Sequence, residues 1–149
     1  MPAVAADVYR NTRFGFSFEL PTGTVRCAPD PSTGPEHGAL LWLDANGGEC
    51  SMPPDRPRLA VMGAYNSMFW ASPKAALQEL CKRGDVVKPP RLEYKRHPSA
   101  VCKVVLANGW IEIELAIMTG IWPPPYHEPE DSSPLMLYTV YLRTTPESL

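Results

Sequence analysis

Four cysteines spread along 149 residues constrain this chain more than any other feature. Cys27, Cys50, Cys81 and Cys102 each stand more than twenty positions from the next, so no C-x-x-C pair is present to grip zinc or act as a redox dithiol. An even number of widely spaced cysteines in a small protein reads as a disulfide framework, which needs an oxidising compartment. Each such bridge contributes about 2–4 kcal/mol. The expectation is a stapled fold that works outside the cytoplasm, with buried free thiols in a cytosolic protein as the alternative.

The opening residues agree with an exported chain. Ala3, Ala5 and Ala6 supply the small side chains that a signal peptidase accepts. Residues 1–8 therefore read as a signal-peptide remnant or disordered start, and 9–149 as one domain. No run approaches the ~18 apolar residues of a membrane helix, so the expected location is periplasmic or secreted, with no membrane span. A formal charge of −2 with no basic cluster argues against nucleic acid as a partner. Most of the 18 prolines gather in the connections 29–35, 53–57, 89–98 and 123–134, which leaves proline-free runs long enough for strands.

Phe14, Phe16, Phe18 and Leu20 alternate with small or polar residues, the period of a half-buried strand. Return strands are expected near 25–27, 39–43 and 59–65. One helix is predicted from Ser72, with Pro73 at its first position, Leu77, Leu80 and Cys81 on its apolar stripe, and Gly84 as its stop. Asn108-Gly109 then signals a two-residue hairpin turn. That loop would pair Cys102 with Leu115 and Lys103 with Glu114, and would send Trp110 to the outer face. Cys102 then shares a buried face with Val104, Ile111 and Ile113, while Cys81 lies on the helix stripe. This favours Cys81–Cys102 and Cys27–Cys50, although four cysteines allow three pairings. A final strand over 135–143 completes a C-terminal three-stranded meander. The expected fold class is α+β: a mainly antiparallel sheet of six to seven strands, packed against one principal helix and stapled by disulfides.

A catalytic centre is hard to assemble from these residues. His37, His97 and His127 each sit alone in a proline-rich connection, and no P-loop, dinucleotide fingerprint or nucleophile elbow occurs. Glu112 and Glu114 are about 7 Å apart along one strand, a spacing compatible with glycoside hydrolysis. On an outer face opposite Lys103 they read instead as a solvated pair. No enzyme, metal or cofactor is expected.

Two segments look made for contact. In 121–134, three consecutive prolines favour a stiff extended path that loses little entropy on binding. Trp122 and Tyr126 flank those prolines as anchors, and His127, Glu128, Glu130 and Asp131 follow as polar contacts. The structural alternative is a surface loop whose Trp122 folds back over the core. In 66–70, Phe69 and Trp70 stand just ahead of the helix, where they either staple its entry or form a second contact surface.

The stretch Tyr9-Arg10-Asn11-Thr12-Arg13-Phe14-Gly15-Phe16-Ser17-Phe18-Glu19-Leu20-Pro21 resembles the opening of Mog1/PsbP-like and DcrB-like domains. It is also similar to that of small periplasmic immunity proteins against type VI secretion effectors. The likeness implies an exported α+β domain that acts by binding, and it carries over no site residue. The resulting expectation is an inhibitor that blocks the cleft of a secreted or periplasmic effector, such as a toxic cell-envelope hydrolase. A non-catalytic accessory module binding a small ligand or an envelope complex is the second reading, and an envelope hydrolase the third.

Overall fold

The apolar alternations become strands, and the strands build one large sheet. The computed structural model describes residues 7–27, 37–44, 48, 50, 56–87, 97–123, 125 and 133–148. Strands β1 (Val8–Asn11) and β2 (Phe16–Glu19) form a separate two-stranded hairpin. The main sheet contains β3 (Val25–Arg26), β4 (Gly38–Trp42), β5 (Arg58–Tyr65), β6 (Asp85–Val87), β7 (Ser99–Val105), β8 (Ile111–Ile121) and β9 (Pro134–Thr144). Its order is β3-β4-β5-β9-β8-β7-β6, and every pairing is antiparallel. The expected meander is β7-β8-β9, and β9 inserts beside β5 at the sheet centre. Val8, read as part of the disordered start, lies in β1; residues 1–6 are outside the described ones.

The helical part is smaller than the sequence suggests. Two four-residue segments, α1 (Pro73–Ala76) and α2 (Gln78–Cys81), replace one helix, with Leu77 at φ −96° and ψ 7° between them. The predicted start is present: Ser72 Oγ accepts from the Ala75 amide at 3.2 Å, and Pro73 follows it. An isolated helix of this length is marginal in water, so packing rather than propensity decides its course. Leu77 and Leu80 are buried against Cys102, Val104 and Ala116, which fill the space between these turns and the sheet. The fold is thus predominantly antiparallel sheet with two short helical turns.

The hairpin between β7 and β8 corrects the expected register. Leu106 N donates to Trp110 O at 2.7 Å, and Gly109 N donates to Leu106 O at 2.9 Å. Gly109, at φ +87°, takes the left-handed conformation that lets a three-residue loop close. The extra loop residue slips every pair by one and turns each side chain of β8 to the other face. Cys102 therefore lies opposite Glu114, and Lys103 lies opposite Ile113. The hydrophobic pattern did not discriminate between the registers because both faces of this sheet are partly covered.

One face carries the helical turns and, beside them, a second apolar patch of Cys27, Leu40, Trp42 and Ala60. The other carries the β1–β2 hairpin, whose Tyr9, Phe16, Phe18 and Leu20 pack on Ala39, Leu41 and Leu59. Gly63 makes that approach possible, since a Cβ there would lie 2.9 Å from Phe14 and 3.0 Å from Phe16. Tyr138 OH donates to Phe14 O at 2.6 Å and ties the hairpin turn to β9.

Both disulfides pair as expected. Cys27–Cys50 has a Cα separation of 5.0 Å, and Cys81–Cys102, at 5.3 Å, joins α2 to β7. No helix among the described residues is long and apolar enough to cross a membrane. Two bridges and no spanning helix are compatible with an extracytoplasmic protein.

Candidate functional site

At one end of the sheet, the two segments that stand out in sequence come together. Strand β5 ends at Tyr65, β8 ends at Ile121, and β9 begins at Pro134, opposite Ile121. The chain leaving β5 makes a tight turn through 66–70 before entering α1. Phe69 in that turn and Trp122 beyond β8 bring their rings to 5.0 Å. Tyr65 stands 6.5 Å from Trp122 and 5.7 Å from Phe14, and Phe14 stacks on His37 at 4.9 Å. A continuous row of rings therefore runs from the turn to the β1–β2 hairpin.

Much of this row faces water. Tyr65 is 50% exposed, Met68 68%, Phe69 46% and Ile121 71%. Single exposed apolar residues are ordinary, whereas a group of them at one end of a sheet is a candidate contact surface. Trp122 is half-buried between Tyr65 and Phe69, so it serves as cover and as part of the surface at once. Phe69 does not staple the helix entry; it turns outward onto Trp122.

Asn66 holds the turn. It is fully buried, and its side-chain amide donates to Trp70 O at 2.9 Å and to Pro134 O at 2.8 Å. Its carbonyl oxygen Oδ1 accepts from the Trp70 amide at 3.1 Å. Its backbone N donates to Leu135 O at 2.8 Å, and its backbone O accepts from the Phe69 amide at 3.0 Å. One side chain thus fixes the turn and locks it to the start of β9. The sequence marked this segment by its aromatics and missed Asn66, because the carbonyl at Pro134 is 68 positions away. Asn66→Ala is expected to lower the unfolding free energy by about 3 kcal/mol, as buried backbone groups lose their partners. Thermal unfolding of the two proteins would check this.

Phe69 has a feature no other described non-glycine residue shares: its φ is +53°. For a bulky side chain this left-handed conformation is an outlier, costing about 1–3 kcal/mol. The bonds from Asn66 over-determine the turn and hold it there.

Of the residues expected at a partner surface, Trp122 belongs to this row. Tyr126, His127, Glu128, Glu130 and Asp131 lie outside the described residues. Among the described residues no group of three potential metal ligands converges.

The carboxylate pair is also relocated. With the shifted register, Glu112 and Glu114 lie on the helix face, in the cross-strand rows Arg58–Arg143–Glu112 and Tyr141–Glu114–Cys102. Arg143 Nη1 donates to Glu112 Oε1 at 2.7 Å, and both side chains are largely buried. Trp110, expected on the outer face, lies with its ring centre 5.6 Å from the Arg143 guanidinium carbon. Burial, and then the hydrogen bond and charge of Glu112, push the Tyr141 hydroxyl above its ordinary range, so it stays protonated.

Comparison with known proteins returned no matching family model, no similar curated protein and no similar solved structure.

Proposed function

We propose that this protein is an extracytoplasmic binding protein that docks onto another protein through its aromatic end, most concretely an immunity protein or inhibitor that obstructs the cleft of a cell-envelope hydrolase. The observation that carries this reading is Phe69. A chain selected for stability alone would place glycine or asparagine at φ +53°, where neither is strained as a phenylalanine is. An exposed aromatic kept in that conformation, beside Tyr65, Met68, Ile121 and Trp122, fits a rigid anchor set for a partner. The two bridges support the extracytoplasmic setting.

Tagged, oxidised protein exposed to an envelope extract of its native host should retain a hydrolase or secreted toxin and inhibit that enzyme's activity once purified. The double variant Trp122→Ala/Tyr126→Ala should lose the enzyme while still unfolding cooperatively, at a midpoint lowered by loss of the half-buried Trp122 ring. Retention and inhibition undiminished in that variant would remove the aromatic end from the interface.

A further inference from the structure

The centre of the helix face carries a carboxylate that the binding surface does not use. We propose that Glu114 is a proton-uptake site built into the middle of the sheet, which makes the fold more stable in a mildly acidic medium than at neutral pH. Glu114 lies between Tyr141 of β9 and Cys102 of β7, the latter held in its bridge to Cys81. Glu112, two residues away, projects from the same face of β8. Its carboxylate is engaged by Arg143 at 2.7 Å, and Tyr141 also bonds to it. Arg143 and Tyr141 thus engage Glu112, while Glu114, half-buried beside it, faces the Glu112 charge.

Among the described residues, Lys74 of α1 is exposed, as is Arg83 just after α2, whose Nε donates to the Glu79 carbonyl at 3.4 Å. Arg58 of β5 sits with its guanidinium carbon 5.9 Å from the Tyr141 ring centre, and Arg143 lies against Trp110. From the helical turns, Glu79 and Lys82 face water and pair with each other at 3.4 Å. Lys103, expected to neutralise Glu114, is on the opposite face. Burial first, and the charge of Glu112 second, raise the Glu114 carboxyl above its ordinary range.

The sign follows from linkage. A carboxyl raised in the folded state binds its proton more tightly there than in the unfolded chain. Its contribution is complete below the unfolded value of about 4.3 and is lost as pH rises through the folded value. Protonation also lets Glu114 donate a hydrogen bond instead of presenting a second negative charge beside Glu112.

Denaturant unfolding of the oxidised protein, followed from about pH 5 to about pH 8, tests this against Glu114→Gln, which mimics the neutral acid. The wild-type midpoint should fall as pH rises, and the variant should show a higher midpoint at neutral pH and a flatter profile. Parallel profiles, or a lower neutral midpoint in the variant, would overturn the proposal. Carboxyl-carbon NMR of the native protein gives a reading that does not depend on the variant's folding. The Glu114 signal should titrate above the ordinary glutamate range and move down in Glu112→Gln, whereas an ordinary midpoint in the wild type would also overturn it.

Discussion

Replacing Cys81 and Cys102 together by alanine should lower the unfolding free energy by about 3 kcal/mol, the chain-entropy value for a loop of this size. The bridge closes a sequence separation of 21 residues. That loop runs from the last residue of α2 through strand β6 to the first part of β7, so breaking it frees a continuous part of the fold. The effect should be large because little else holds the helical turns. Two four-residue segments have no independent stability. Their attachment rests on Leu77 and Leu80 seated against Cys102, Val104 and Ala116, together with the bridge itself. Equilibrium denaturation of the oxidised double variant checks this, and the fully reduced wild type, which also loses Cys27–Cys50, should show a larger loss. A loss below about 1 kcal/mol would mean that packing alone docks the helical turns.

Phe69→Gly should separate stability from binding. Glycine adopts φ +53° without strain, so the backbone recovers about 1 kcal/mol. The ring that is lost is 46% exposed, and its main described aromatic contact is Trp122 at 5.0 Å. The variant is therefore expected to unfold at or above the wild-type denaturant midpoint. If the ring is an interface anchor, affinity for the captured enzyme should fall by about 2 kcal/mol, or roughly thirtyfold. Phe69→Tyr, which keeps the ring, should retain most of that affinity. A glycine variant that is both less stable and equally tight in binding would make Phe69 a packing residue and withdraw the main support for the aromatic end as the docking surface.

The contrast between Asn66 and Glu114 shows where sequence reasoning reaches and where it stops. Both residues act through neighbours distant in the chain: Asn66 through the carbonyl of Pro134, and Glu114 through Tyr141 and Cys102. The aromatics beside Asn66 were visible as candidates because composition alone flags an exposed-type cluster. The residue that orders them was not, because a buried asparagine looks like any turn residue until its partners are known. Glu112 and Glu114 were visible as a pair, yet their face was misassigned. The Asn108-Gly109 signal is compatible with a two- or three-residue loop, and the difference of one residue exchanges the two faces of β8.

By itself, the sequence determined the local and covalent features of this protein. Cysteine number and spacing set a framework of two bridges, with the expected faces of Cys81 and Cys102 favouring their pairing; apolar alternation set most of the strands, and Ser72-Pro73 set the start of the helical turns. Each follows from a few adjacent residues or from chemistry that only certain residue types possess. The tertiary structure decided the register of β8, the interruption at Leu77, the pairing of β1 with β2 and the meeting of Phe69 with Trp122. In these cases the local alternatives lie close in free energy, and contacts between distant segments choose among them.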